Sequence, residues 1–512
     1  MAQINTLSVI DSFYRKNVFI TGVTGFLGKS ILEKLLRETS NIGKIYVLIR
    51  PSGDKKASDR LDTEVFQSQL FDVLKHQFKS DWHTFLADKV YVVEGDMTRP
   101  QYGLQPNAFK QLANDVDLVI NSAASVDFRE PMDQALSINT LSVKNILRLC
   151  ECRKDTLTPI KVTHVSTCYV NGFNQGVIKE TVLPSASGLI VQKDDDTFDV
   201  ESTIKALEDK IQAIYRSNAD TQKQQKQLIQ LGIKQSHRHG WNDTYTFTKW
   251  LAEQLLIQGL NKQNLAIVRP SIIESSISSP VAGWVEGVKV ADALIYAYAK
   301  GRVSIFPGDD QGVLDVIPVD LVSNSVLMAS AQLMTEKGGF HIYQCCSGEL
   351  NPIRLKDFIA YTQQASMAKY KTLPKLFADK PQASFKTVDP KIFGLYMFGL
   401  KLGTWLRTIT GRLLRSSKAQ SLMQKANTTA SLAMIFGFYT APKYRFANSN
   451  LQSLQALFSE KEQRQFNALA DCFDWKHYLQ EVHLPGLHQY ALADKGLANK
   501  TKKHSRKLKA AA

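Results

Sequence analysis

The stretch "NVFITGVTGFLGKSILEKLLRE", residues 17–38, limits the fold more than any other feature of the chain. A short apolar run ends in a glycine-rich turn, and the turn opens at once into residues with helical spacing. The same alternation recurs downstream. The apolar runs "KIYVLI", "KVYVVEGD", "VDLVINSAA", "IKVTHVST" and "LAIVRPS" are separated by helical stretches such as "MDQALSINTLSVKNILRLCE". Short apolar runs alternating with amphipathic helices predict a parallel sheet wrapped on both faces, because parallel neighbours need a crossover between them.

The expected fold class is therefore α/β, a Rossmann-type doubly wound parallel sheet with a mainly helical C-terminal domain. At 512 residues the chain exceeds one compact core. Because the alternation stops near residue 365, three regions are expected: 1–365 with the nucleotide site, a helical domain over 366–490, and a basic tail over 491–512. Ligands of such sheets bind beyond the carboxyl ends of the strands. At the first of these ends Gly22 permits the tight turn, Gly25 lets backbone approach a pyrophosphate, and Gly28 allows close helix packing. The helix N-terminus then faces the phosphates, with Thr24, Phe26 and Leu27 as neighbouring cofactor contacts. The second strand ends in "LIRPSGDKK" where a carboxylate would meet a free ribose 2′-hydroxyl. Arg50, beside Lys55 and Lys56, instead offers donors to a 2′-phosphate, which predicts NADPH. Asp96, next to Met97, is expected at the adenine, and Ala123 and Ala124 leave room for the cofactor.

Composition narrows the class. A hydrophobic content of 44% is that of a globular protein, and the six cysteines lack the paired C-x-x-C spacing of a zinc site, so no metal is expected. No signal-peptide pattern precedes the first strand, and a reducing cytoplasm is the simplest location. Of the formal charge of +15, seven basic residues without an acid lie between Lys495 and the end. That tail reads either as a solvated segment or as a contact with an anionic membrane. Nucleic acid is not expected, since no aromatic-interleaved basic module accompanies it.

"NDTYTFTKWLAEQL" sets Tyr245 and Lys249 one helical turn apart. The spacing alone is weak, because Tyr296 with Lys300 and Tyr439 with Lys443 share it, although Pro442 interrupts the last. Context favours Tyr245, whose helix follows the sheet and leads into "LAIVRPS". The preceding strand, "KVTHVS", delivers Ser166 and Thr167 to the rim beside the nicotinamide.

Gly22-x-x-Gly25-x-x-Gly28, the hydroxyl pair Ser166 and Thr167, and Tyr245-x-x-x-Lys249 resemble the extended short-chain dehydrogenase/reductase superfamily. The phrases "HVSTCYVNG", "YTFTKWLAEQL", "IVRPSIIESS", "SPVAGWVEG", "DVIPVD", "SGELNPI" and "VHLPGL" narrow the resemblance to alcohol-forming fatty acyl-CoA reductases. The resemblance implies that Tyr245 protonates the developing oxyanion, and that Lys249 lowers the phenol pKa and binds the nicotinamide ribose. It aligns Thr167 with the catalytic serine, with Ser166 as the alternate. Asn139 falls where the superfamily has a structural or proton-relay asparagine, and a helix-packing role is the other reading. The implied reaction takes long-chain fatty acyl-CoA and NADPH through an aldehyde to a primary alcohol. A sugar-nucleotide epimerase or dehydratase and a non-catalytic scaffold are the competing readings; Arg50 and the apolar C-terminal region argue against the first, and the intact Tyr245, Lys249 and Thr167 against the second.

Five segments depart from a plain dehydrogenase. A long insertion at about 185–240, with Ile204, Leu207, Ile211 and Ile214 at helical spacing, predicts one or two amphipathic surface helices that serve as a lid or as a passive insertion. Trp284 either borders an acyl channel or anchors the core. In "DVIPVD", Asp320 is expected to cap the following helix. The apolar stretches "KIFGLYMFGLKLGTWLRTITGRLLR" and "SLAMIFGFYTAPKYRF" are too interrupted to span a membrane and are expected to pack as core, to line a tunnel for the acyl chain or to rest on a membrane surface.

Overall fold

The computed structural model describes residues 6–492, except 154–157, 194–196, 288–289, 300–304, 336–338, 378–379, 382–385, 390–391, 396–398 and 400–435. The basic tail, Lys300 and most of the first apolar stretch lie outside the described residues. Among those described, no helix is long and apolar enough to cross a membrane.

Seven parallel strands form the main sheet: β1 (Val18–Thr21), β2 (Ile45–Ile49), β3 (Val90–Glu94), β4 (Leu118–Asn121), β5 (Lys161–Val165), β6 (Leu265–Pro270) and β7 (His341–Cys345). Their order is β7-β6-β5-β4-β1-β2-β3. Every residue of β1, β4 and β6 is buried, because helices cover both faces, and this is why those strands read as unbroken apolar runs. The winding reverses between β1 and β4, and a ligand crevice opens beyond the carboxyl ends at such a point.

Five helices position the crevice: α1 (Phe26–Glu38), α2 (Val200–Ser217), α3 (Thr221–His239), α4 (Thr244–Gly259) and α5 (Val319–Thr335). The helices α2 and α3 make up most of segment 185–240, and α2 buries Ile204, Leu207 and Ile211. At the end of α3, Gly240 adopts φ +99, where a Cβ would stand 2.8 Å from the Ser187 backbone nitrogen. The chain then turns Trp241 onto Phe247 and Trp250 of α4, with ring centroids at 5.0 and 4.8 Å. Segment 185–240 thus builds a platform under α4.

The described C-terminal residues are wound into the same body. Tyr444–Phe446 pairs in parallel with Gly176–Ile178, and Leu7 bridges Phe458. The Glu462 carboxylate accepts from the Ser8 hydroxyl at 2.8 Å and the Val9 N–H at 3.1 Å, joining the two ends of the described chain. Asp320 sits in the first turn of α5 without capping it: its carboxylate accepts from the N–H groups of Ile277, Ser278 and Ser279. It thereby fixes the loop of "SPVAGWVEG". Trp284 in that loop is 2% exposed and packs 4.9 Å from the Phe26 ring, an anchor on α1.

Candidate active site

At the carboxyl ends of β1, β4, β5 and β6 lies a cavity of about 520 Å³. One wall is the turn and first residues of α1, namely Gly22, Gly25, Phe26, Leu27 and Gly28. Gly22 has φ +81, and a Cβ there would meet the Ala123 backbone nitrogen at 2.7 Å. A Cβ on Gly28 would lie 2.1 Å from the Gly22 carbonyl oxygen, so α1 is pressed against its own turn. Gly25 at the N-cap supplies no side-chain acceptor, and the N-terminus of α1, which lines the cavity, turns the positive end of its dipole toward an anion there. These features fit a dinucleotide pyrophosphate.

The facing wall carries Ser166, Thr167, Tyr245 and Lys249. β5 delivers the first two, and α4, N-capped by the Asp243 carboxylate on the Thr246 N–H at 2.9 Å, delivers the others. Burial, and secondarily the Asp243 carboxylate, push the Tyr245 phenol well above its ordinary value, while a hydrogen bond with Thr167 pulls it back. Burial lowers Lys249 to about 8, against the raising influence of Glu253. The Lys249 ammonium donates to the Val165 carbonyl at 2.6 Å. Thr167 accepts from the Tyr169 N–H at 3.3 Å and donates to the Pro270 carbonyl at 3.3 Å, both long bonds. The buried Ser166 hydroxyl has no hydrogen-bond partner among the described residues.

The remaining expected contacts are distributed unevenly. Ala124 lines the cavity; Thr24, Arg50, Asp96, Met97, Ala123 and Asn139 do not. Ala123 packs against Gly22, and the Met97 carbonyl accepts from Asn145. Asn139 joins two elements: its side-chain oxygen accepts from the Ser125 N–H at 2.8 Å and its amide donates to Thr248 at 3.0 Å. Arg50, 63% exposed at the end of β2, lies 3.4 Å from Asp96, next to the strand end where a ribose would project. No described residue of 185–240 lines the cavity.

Residues 20–326 match a family model for the NAD-binding domain described as male sterility protein, and residues 402–494 match a second with the same description. Fatty acyl-CoA reductase 2, chloroplastic, of Arabidopsis thaliana is 32% identical over 508 residues, 95% of this chain and 80% of that protein. The alcohol-forming fatty acyl-CoA reductase of Simmondsia chinensis is 30% identical over 503 residues, 95% of this chain and 99% of that protein. The chain belongs to the fatty acyl-CoA reductase family. This reductase also shares its fold with the terminal R domain of the myxalamid PKS-NRPS pathway, at TM-score 0.57 and 18% identity over 93% of this chain and 90% of that one. A second likeness of fold, TM-score 0.54 and 17% identity, is to the reductase domain of a nonribosomal peptide synthetase from Mycobacterium tuberculosis, over 95% and 94% of the two chains.

The reductase brings to its cavity several residues that sequence reasoning passed over. Val126 and Phe128 come from the loop after β4, Ile272 and Ile273 from beyond β6, and Phe436 and Tyr439 from the C-terminal region. Tyr439 was visible as one of the other Tyr-x-x-x-Lys matches, and Pro442 argued correctly against that pairing. Its actual partner is Asp243, to which the hydroxyl donates at 2.8 Å, a contact across 196 positions that no local pattern carries.

Proposed function

We propose that this oxidoreductase converts a long-chain fatty acyl-CoA into a primary alcohol and CoA with two molecules of NADPH, retaining the aldehyde between the two reductions. The observation that carries this reading is the shared cavity. Tyr245, Lys249, Thr167 and Ser166 face the anion-ready end of α1, while Val126, Phe128, Ile272, Ile273 and Phe436 give the same space an apolar lining suited to an acyl chain.

NADPH, when bound, supplies the hydride. Tyr245 donates its proton to the oxygen of the carbonyl under attack, and Thr167 turns its single hydroxyl proton from the Pro270 carbonyl to the same oxygen. Ser166, with its hydroxyl unspent, is the second donor for that oxygen. In the first reduction the thioester carbonyl becomes a hemithioacetal, whose C–S bond breaks to release CoA and form the aldehyde. In the second, the aldehyde takes a hydride on carbon and a proton from Tyr245 on oxygen. Lys249 offers its charge to the phenolate and to the ribose. Arg50 supports NADPH over NADH, because its exposed guanidinium at the end of β2 matches a phosphate.

The test follows NADPH absorbance with palmitoyl-CoA and identifies the product. Two NADPH consumed per CoA released, with hexadecanol formed, is the expected result. Consumption of one NADPH with free hexadecanal would overturn the retained-aldehyde reading, and absence of turnover would overturn the activity.

A further inference from the structure

A polar row crosses the apolar middle of the sheet. Thr21 on β1 is the register partner of Asn121 on β4, and Asn121 that of His164 on β5. They are 2%, 2% and 1% exposed. Burying three polar side chains side by side costs free energy unless their hydrogen bonds are made. Here they are made, and in one direction. The Ala123 backbone N–H can only donate, and it does so to Thr21 Oγ1 at 3.3 Å. The Thr21 hydroxyl donates to Asn121 Oδ1 at 2.7 Å. The amide then presents its nitrogen, which donates to His164 Nδ1 at 2.9 Å. A neutral imidazole that accepts at Nδ1 carries its proton on Nε2. Nε2 faces Lys249 Nζ at 3.4 Å.

The row therefore ends as a donor aimed at the lysine nitrogen. An ammonium has no lone pair to receive it; a neutral amine does. We propose that His164 is a positioning residue that stabilises the neutral amine of Lys249 and so makes the lysine a ready proton donor to the Tyr245 phenolate. This rests on the roles proposed above for Tyr245 and Lys249. Once Tyr245 has protonated the substrate oxygen, an N–H bond of Lys249 breaks and an O–H bond forms on Tyr245. The lone pair left on Nζ accepts from His164 Nε2. The Val165 carbonyl, 2.6 Å away, holds the nitrogen in place in both states.

The surroundings leave few other groups for this task. Burial, aided by the charge of Lys249, holds His164 neutral, and Lys249 itself is lowered to about 8. Glu253, one turn further along α4, acts on the lysine from a distance, but its carboxylate is taken by Arg269 at 2.9 and 2.7 Å. Asp243 acts on Tyr245. Asn139, the other candidate relay, is bonded to Ser125 and Thr248.

The test is the pH profile of kcat/KM for palmitoyl-CoA reduction by the full chain, with NADPH binding by fluorescence and thermal unfolding measured alongside. In His164→Leu the neutral amine loses its donor, so the pH at which activity is lost should rise by about one unit, with kcat near neutrality down about tenfold. In His164→Gln, whose amide N–H reaches the same place, both should return toward the original. A limb that stays in place or moves to lower pH in a folded, NADPH-binding His164→Leu overturns the proposal, as does a glutamine variant that behaves like leucine. Should the leucine variant not fold, Asn121→Leu, which frees the imidazole tautomer, must show the same upward shift. Lys249→Ala separates this inference from its parent. Retained activity there removes both, whereas lost activity with an unmoved His164→Leu limb removes only the role of His164.

Discussion

Tyr245 and Lys249 are four positions apart, yet burial acts on them in opposite senses, raising the phenol and lowering the ammonium. The neutral phenol is thus the ground state, as a proton donor needs. Tyr245→Phe is expected to lower kcat by about 10²–10⁴-fold while fluorescence titration shows nearly unchanged NADPH affinity. Because the Lys249 pKa is depressed below its ordinary value, its cation is present below about 8 and is lost as pH rises through that value. Activity that needs the cation should fall over the same range, checked by kcat/KM from pH 6 to 10 (~2 units either side). Thr167, bonded to the phenol, and Ser166, with its free hydroxyl, make separable predictions. Thr167→Ala should cost kcat more than Ser166→Ala, and the reverse order in steady-state kinetics would exchange their roles. Arg50→Ala should weaken NADPH binding far more than NADH, and equal losses would remove the 2′-phosphate contact.

The elements deliver these residues through close contacts more than through helix or strand propensity. A methyl on Gly28 would sit 2.1 Å from a backbone oxygen of the turn, where no flexible side chain can yield. Gly28→Ala should therefore displace α1 from the cavity, destabilise the protein by about 2 kcal/mol or more in denaturant titration, and weaken NADPH binding. α4 is held at its start both locally and from afar, and again at its middle. Asp243 caps it, Tyr439 bonds that cap, and the buried Glu253–Arg269 pair locks its middle to β6. Removing one member of that pair leaves an uncompensated buried charge, so Arg269→Met is expected to cost about 3–5 kcal/mol by thermal or denaturant unfolding.

At the scale of the molecule, the C-terminal region closes the site. Glu180, beyond Gly176–Ile178, accepts from the N–H groups of Gln344, Asn450 and Leu451 and so joins β7 to the C-terminal helix at Ser449–Ala456. Glu180→Ala strips three N–H groups of their acceptor, two of them buried, and a loss of about 3 kcal/mol in denaturant titration is expected. Tyr439→Phe should raise KM for acyl-CoA more than for NADPH, because it loosens the apolar wall and leaves the α1 wall intact.

The sequence by itself determined the alternating sheet, the glycine-rich turn at Gly22, Gly25 and Gly28, and the one-turn spacing of Tyr245 and Lys249. These are local: strand and helix periods and a tight turn are written in consecutive residues. Only the tertiary structure decided that Tyr439 meets Asp243, that Asn139 bonds Thr248, that Asp320 clamps a distant loop, and that Thr21, Asn121 and His164 line up across three strands. Those contacts depend on strand order and register, which join positions far apart in the chain. No periodicity records such a choice, because each side chain's partner is fixed by packing rather than by its neighbours in sequence.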